Sequence, residues 1–590
     1  MSFYDTIPVA RLKKSMFPLK EESHLTLDQG SIVPFFYKEM LPGDIFKLYQ
    51  SNFIRVQPMV AAPFTSIRYY AEFWFCPTRV LMQKFFPAIV DAWQTFILGG
   101  PNGNGQNEAG QTPTLPLWIP NKNNVKLAGF TVDNQERQYR KTGMADAKGS
   151  LWDYFGFPTN QGFSTLNDEG KKTVGGETLD YSDFVPLAFP KIQYNLVWNN
   201  FKRNENIEPS VPLDDENIKA PKWKRGRYTS ALPFQQRGDP VALPISGIGD
   251  ISFSNNLDGQ GYSNGVEVGL LYGQSGFKDV SAVSASQSSP ERLVLTADGL
   301  TEPVGGRLYS KAVNSTIQST VAQLNSAGGH VDFNQAVSCN ISQLRLAVQT
   351  QRFMERTARG GVRYIEGLKS FFGIAPSEAV LQLPQFVGGM IQNIIINEVL
   401  QTSESAATPQ GNISGRGISA GGEYVGTVKA KEHGYLMGIC WIKPDLYYSS
   451  QGIPKEMLRR SRYDFYWPQF AHLSEQPILK AELYANINTM TPEQLGKGSA
   501  GLFGYTGKDN EYRMYENRVC GEMRDTFKYW HLARSFESAP ELNADFINCQ
   551  PRKDIFAVRT EDEFMIDTVV NIKAFRPMPL ESNPGLLDHF

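Results

Sequence analysis

The 590-residue sequence is short of the features that announce chemistry. Its five cysteines (Cys76, Cys339, Cys440, Cys520, Cys549) are scattered, odd in number and free of any C-x-x-C pair. That argues against a zinc site or a disulfide framework and for a reducing compartment. The six histidines form no H-x-H, H-x-x-x-H or H-E-x-x-H spacing, so a helical metal pair is missing. No G-x-S-x-G elbow occurs, and LGKGSAG (495–501) lacks the G-x-x-x-x-G-K-[ST] of a phosphate loop. No apolar run approaches the ~18 residues of a membrane span. The opening MSFYDTIPVARLKKSMF carries no run of signal-peptide length, so a product that stays in the cytoplasm where it is made is expected. The sequons at Asn314, Asn340 and Asn412 then read as chance matches. Neither charge sign dominates: 58 basic against 60 acidic side chains leave a formal net charge of -2. This excludes wholesale coating of nucleic acid but not a local basic face.

What is present is extended chain. Aromatics make up 12% of the residues, with 52 glycines and 36 prolines, a composition of loop-rich β proteins and of extensive interfaces. In SIRYYAEFWFCP, Ile67, Tyr69, Ala71, Phe73 and Phe75 alternate with Arg68, Tyr70, Glu72 and Trp74, predicting a strand that Pro77 closes. EHGYLMGICWIKP (432–444) is apolar on both faces and suits a strand buried on both sides. EFMIDTVVNIKAF alternates Phe564, Ile566, Val570 and Ile572 against Asp567, Asn571 and Lys573. Strands at 45–76, 425–443 and 563–575 lie hundreds of residues apart, so a shared sheet demands long connections, as sandwiches and jelly rolls accept. LPGD (41–44) is a turn signal leading into the first of these strands, and Pro58 and Pro63 break the extended run that follows. Ile341, Leu344 and Val348 form one stripe of a helix ended by Gly360–Gly361. A second helix is expected at SEAVLQL or near MLRRS, and GGPNGNGQNEAGQ (99–111) reads as a surface loop.

Three basic clusters stand out: Arg11, Lys13, Lys14 and Lys20; Lys222, Lys224, Arg225 and Arg227 with Trp223 and Tyr228; and Arg459, Arg460 and Arg462 beside Tyr463, Phe465, Tyr466 and Trp467. Cations interleaved with rings suit single-stranded nucleic acid, where cations neutralise phosphates and bases stack on rings. The same residues equally suit a subunit contact, where Arg, Tyr and Trp are enriched. The nucleic-acid candidates are therefore Lys13, Lys14, Lys222, Lys224, Arg225, Arg227, Arg459, Arg460 and Arg462. No catalytic or metal-binding residue and no cofactor is assigned.

Several blocks occur together in a family order: LPGD (41–44), RVQPMVAAPF (55–64), FWFCPTR (73–79), RYTSALPFQQRG (227–238), LRLAVQTQRFMERTARGGVRYIEGLKSFFGI (344–374), EHGYLMGICWIKPDLYYSSQGI (432–453), RYDFYWPQFAHLSEQPI (462–478) and EYRMYENRVCG (511–521). In them the sequence resembles the major capsid proteins of Microviridae, the tailless icosahedral phages with single-stranded DNA, and most of all their gokushovirus branch. It departs from the family pattern in ALPFQQRG, LPQFVGG and TGKDN. The resemblance implies a mainly β fold, an eight-stranded viral jelly roll with long loop insertions containing a few helices. It further implies pentamers and a sixty-subunit T=1 shell around circular single-stranded DNA, assembled in the bacterial cytoplasm with an internal scaffolding protein and a small basic packaging peptide. The Gly- and Ser-rich segment after RYTSALP corresponds to a variable projection at the three-fold axes that meets the host receptor. Its host-contact candidates are Tyr262, Leu270, Leu271, Tyr272 and Phe277. The expected organisation is an N-terminal arm (1–40), a first part of the jelly roll (41–240), the surface insertion (241–335) and the remainder of the jelly roll (336–590). The competing readings are a receptor-binding spike and a jelly-roll carbohydrate-active protein, which would need two carboxylates converging in a cleft.

Overall fold

The computed structural model describes residues 14–100, 104–121, 123, 125–132, 138–239, 341–360, 364–373, 377, 381–400, 413–473, 475–496 and 498–581, with five three-residue strands inside 240–340. The chain divides into two compact units, one of residues 1–237 with 355–590 and one of residues 238–354. In the second unit the described strands form one three-stranded and one two-stranded antiparallel sheet, and Ile341–Gly360 begins there as a helix (α3). Leu344, Leu346, Val348 and Phe353 of that helix are exposed.

The first unit is built on eight long strands: β1 (Ser15–Leu27), β2 (Val33–Met40), β3 (Ile45–Val56), β4 (Ile67–Pro77), β5 (Gln385–Leu400), β6 (Ile413–Lys429), β7 (Gly434–Pro444) and β8 (Phe564–Arg576). Their order is β1-β8-β3-β6-β5-β4-β7-β2, every pairing antiparallel. This is the strand order of a jelly roll: β1-β8-β3-β6 make one half, β5-β4-β7-β2 the other, and the β5–β6 pairing joins them. The strands at the two ends of the order, β1 and β2, are consecutive in the chain, so the sheet comes close to closing on itself.

Alternation sets the faces. Along β3, Phe46, Leu48, Ile54 and Val56 point into the core, as do Ile67, Tyr69, Ala71, Phe73 and Phe75 of β4 and Phe564, Ile566, Val570 and Ile572 of β8. β7 is buried on both faces, as its unbroken apolar run requires. The expected extended run 45–76 is two strands, with Pro58 and Pro63 in the connection between them. Met59 pins that connection by bridging to Gly415 and Phe556. At LPGD the chain turns between β2 and β3. Gly43 takes φ +94, Asp44 Oδ2 accepts from Leu41 N–H at 2.8 Å, and Arg576 reaches the same carboxylate at 3.0 Å. Gly388 marks a bulge in β5, where a Cβ would meet Val425 O at 2.1 Å.

Several local expectations are corrected. The second helix is not found among the described residues of SEAVLQL, where Leu381–Gln382 form a turn, nor at MLRRS, where Lys455–Met457 is one 3-10 turn. Tyr364–Phe372 (α4) is helical. Another helix, α2 (Phe189–Val197; α1 is Thr78–Phe85), is buried at every position, its polar Lys191, Gln193 and Asn195 each held by a partner within the fold. Residues 15–40, inside the segment expected as an arm, form β1 and β2.

Beneath the turn between β1 and β2 lies a fully buried charge cluster. Lys553 Nζ donates to both oxygens of Asp28 at 2.9 and 2.8 Å, and Asp28 also accepts from Glu563 N–H at 2.8 Å. Glu563 Oε2 accepts from Gln29 N–H at 3.0 Å. Burial and the neighbouring Asp28 carboxylate hold Glu563 well above its ordinary value near 4.5, and burial raises Asp28 too in spite of Lys553, so the folded state favours the Glu563 proton. Because the native state binds this proton more tightly than the unfolded chain, stability falls as pH rises from about the ordinary glutamate value towards the raised one. Glu563→Gln should flatten that decline, whose slope reaches about 1.4 kcal/mol per pH unit, in urea titrations run from acid to alkaline pH. Lys553→Met should lower stability by about 3–5 kcal/mol, since it strands a buried carboxylate.

Candidate nucleic-acid interface

The outward face of β4 organises the main basic surface. Tyr70 stacks on Trp441 of β7 at 5.6 Å and an interplanar angle of 2°. After α2 the chain continues as a π-helical turn, Trp198–Lys202, which lays Phe201 on Trp74 (4.5 Å between centroids) and delivers Lys202 to Glu72. Lys202 Nζ also sits 4.3 Å from the Trp441 ring centroid, and Lys443 Nζ sits 5.0 Å from that of Tyr70. Burial pulls both ammonium pKa values below the ordinary lysine value; Glu72 opposes the shift at Lys202, and Lys202 adds to it at Lys443.

Of these groups Phe201, Lys202, Trp441 and Lys443 line one wall of a cleft of about 860 Å³. Lys222, Lys224 and Arg225 line it from a second segment, and Arg359 and Lys369 from the ends of α3 and α4. Eight cations border the cleft, against Glu205 and Glu366. Four of the eight are matched by carboxylates: Lys202 by Glu72, Arg203 by Glu205, Lys222 by Glu208 and Arg359 by Glu475. Among the described residues, Lys224, Arg225, Lys369 and Lys443 have no carboxylate within ion-pair distance.

The sequence candidates therefore separate. Lys13 lies outside the described residues, and Lys14 is exposed, donating to Gly43 O at 2.5 Å. Lys222 is held by Glu208 and by Asn548 Oδ1 at 2.6 Å, while Lys224 and Arg225 are exposed at the cleft. Arg227 is buried against Glu482, whose carboxyl burial pushes up in spite of the guanidinium. Arg459 pairs with Glu511 at 3.6 Å between the rings of Phe465 and Tyr512. Arg460 donates to Met457 O and Arg459 O, and Arg462 to the Tyr463 hydroxyl at 2.7 Å; both are exposed. Beside them Tyr463, Phe465, Tyr466 and Trp467 are each about half exposed. Three of the nine candidates, Lys222, Arg227 and Arg459, are thus engaged within the fold. Lys369 and Lys443 escaped sequence reasoning because each is isolated in its own segment, and Lys202 because its only cationic neighbour is Arg203; topology brings all three to one cleft. The candidates Tyr262, Leu270, Leu271, Tyr272 and Phe277 lie outside the described residues.

Elsewhere, Glu22, His24 and Asp567 bring ligand-type atoms within 4.8 Å of one another across β1 and β8. Their charges are already engaged, Glu22 with Lys20 at 2.9 Å and His24 with Asp567 at 3.4 Å. No described helix is long and apolar enough to cross a membrane.

A jelly roll whose broad loops carry exposed rings and guanidinium groups is the architecture of a viral shell subunit. The comparisons agree. The model of the family described as capsid protein (F protein) matches residues 5–117 and 185–586, and the chain belongs to that family, the major capsid proteins of Microviridae. It is 28% identical to capsid protein VP1 of Chlamydia phage 1, over 99% of this chain and 97% of that protein. It is 29% identical to capsid protein VP1 of Bdellovibrio phage phiMH2K (99% and 97% covered) and 27% to that of Spiroplasma virus 4 (98% and 96%). The protein is a structural component of the virion and not an enzyme.

The division between buried and exposed arginines has a direct test. Arg227→Met should destabilise the subunit by about 3–5 kcal/mol in chemical denaturation, because Glu482 is left buried without its partner. Arg225→Gln and Arg462→Gln should change stability by no more than about 0.5 kcal/mol.

Proposed function

We propose that the protein forms a T=1 shell of sixty copies, assembled through pentamers, around a circular single-stranded DNA genome. The observation that carries this reading is the family match over most of a chain folded as a jelly roll. The physics of assembly supports it. A subunit that meets several copies of itself needs rings and arginines near its surface as anchors, and the 459–467 loop supplies them. Contacts that close about five-fold and two-fold axes make a finite particle. A net charge of -2 lets sixty copies approach without strong mutual repulsion.

In this reading the exposed cations Lys14, Lys224, Arg225, Arg460 and Arg462 face the genome, together with a small basic packaging peptide, and an internal scaffolding protein guides assembly. The segment 241–335 projects outward and meets the host receptor, with Tyr262, Leu270, Leu271, Tyr272 and Phe277 as its contact candidates.

Expression of the full chain with its scaffolding partner should yield closed particles or pentamers by electron microscopy; monomers alone would refute the shell. Deleting 245–330 should spare particle formation and abolish adsorption to host cells, whereas loss of particles would make the segment an assembly contact. Arg460→Gln with Arg462→Gln should lower the DNA content of purified particles. Unchanged DNA in weakened particles would instead make the loop a subunit contact.

A further inference from the structure

We infer that the inner wall of the basic cleft is a phosphate subsite, in which Lys443, with Lys202 beside it, holds one backbone phosphate of single-stranded nucleic acid. The exposed Lys224, Arg225 and Lys369 then hold the phosphates on either side. This rests on the reading that the subunit contacts its packaged genome, and it names the place where it does so.

The case starts from Lys443. Its ammonium offers three donors, and within the subunit it has one protein acceptor, Lys222 O at 3.1 Å. Across the sheet it faces Arg68, a like charge, and Asp445 two residues along β7's exit is already taken by Arg68 at 3.0 Å. The Glu72 carboxylate, whose field reaches Lys443, is likewise taken by Lys202. A half-buried cation with donors to spare, no carboxylate within ion-pair distance and its nearest acids already paired is electrostatically unbalanced, and an anion is what restores balance. The rings beneath the two ammonium groups fix their positions, since Tyr70 and Trp441 are themselves stacked. A cleft of about 860 Å³ is in the range that holds a nucleotide-sized ligand. The run of unmatched cations from this wall to the exposed Lys224, Arg225 and Lys369 favours a chain of phosphates over a single anion.

The probe is a short labelled oligothymidylate, added to full-length protein purified free of DNA and followed by anisotropy over a range of salt. Lys443→Met should weaken binding about tenfold, the worth of one charge-assisted bond. It should also reduce the salt slope by about 0.7, the share of one phosphate on a single strand. Lys443→Arg should retain most of the affinity. If Lys443→Met leaves both affinity and slope unchanged while Lys224→Gln with Arg225→Gln weakens binding, the subsite is refuted and genome contact at the rim stands. If neither set has an effect, the genome-contact reading of the cleft fails as well. Tighter binding of polyglutamate than of the oligonucleotide would overturn the inference in favour of an acidic protein segment. Should Lys443→Met fold poorly, the unsubstituted protein decides: the oligonucleotide should protect Lys443 from acetylation, read by mass spectrometry, and unchanged labelling refutes the subsite.

Discussion

The structure hangs on the pairing of β8 between β1 and β3. All thirteen positions of β1 have partners on β8, Ser15 opposite Arg576 through Leu27 opposite Phe564. On its other side β8 pairs with β3 from Phe564 to Phe575. The last strand is therefore a central one, and both its neighbours come from the first tenth of the chain. Everything between can be long and irregular, because the ends of each insertion are anchored in strands of this one sheet. β4 and β5 pair directly although some three hundred residues separate them, and those residues supply α2, the cleft's second wall and the whole of the second unit.

The buried charges follow from the same closure. Asp28 comes from the end of β1, and Lys553 and Glu563 from the approach to β8, so the cluster locks chain ends together at the point where the sheet is completed. A pair of apolar side chains could fill the same volume, but a bonded lysine and carboxylate also fix direction and register. The network of Arg227, Glu482, Lys455, Glu511 and Arg459 plays a comparable part in the smaller core around Tyr228 and Phe503. Opposite in character is the cleft, where cations gather without an equal number of acids. Near-neutral overall charge is thus compatible with a strong local field, because the acidic residues are placed elsewhere.

What could be read from sequence follows from where each residue lies in this scheme. β4 and β8 were legible because one face of each is core, and β7 because both faces are. β1 was not: SMFPLKEESHLTL is mostly solvent-facing, and its strand conformation is imposed by β8. The helix α2 was missed because it is only nine residues long and spends its polar side chains on buried partners that sequence does not show. At the basic surface, local clusters flagged Lys224, Arg225, Arg460 and Arg462, but clustering could not tell these from Arg227 and Arg459, which neutralise buried carboxylates. Lys443 leaves no local pattern at all, and the Lys202–Arg203 pair only a faint one, since such residues gain their meaning from what topology sets beside them.

The central position of β8 also governs the order of events at the ribosome. While the chain is being made, β1 and β3 emerge early, and the slot between them stays open until residue 576 has left the exit tunnel. At about 5–20 residues per second, that interval lasts roughly half a minute to two minutes. Throughout it, two unpaired strand edges flank an uncovered apolar face, which is the condition under which chains pair with the wrong partner. A cell making the many copies that a shell requires holds many such half-closed sheets at once. The strand that completes the sheet is the last to be made, so each unfinished copy must be kept from its neighbours until that strand arrives.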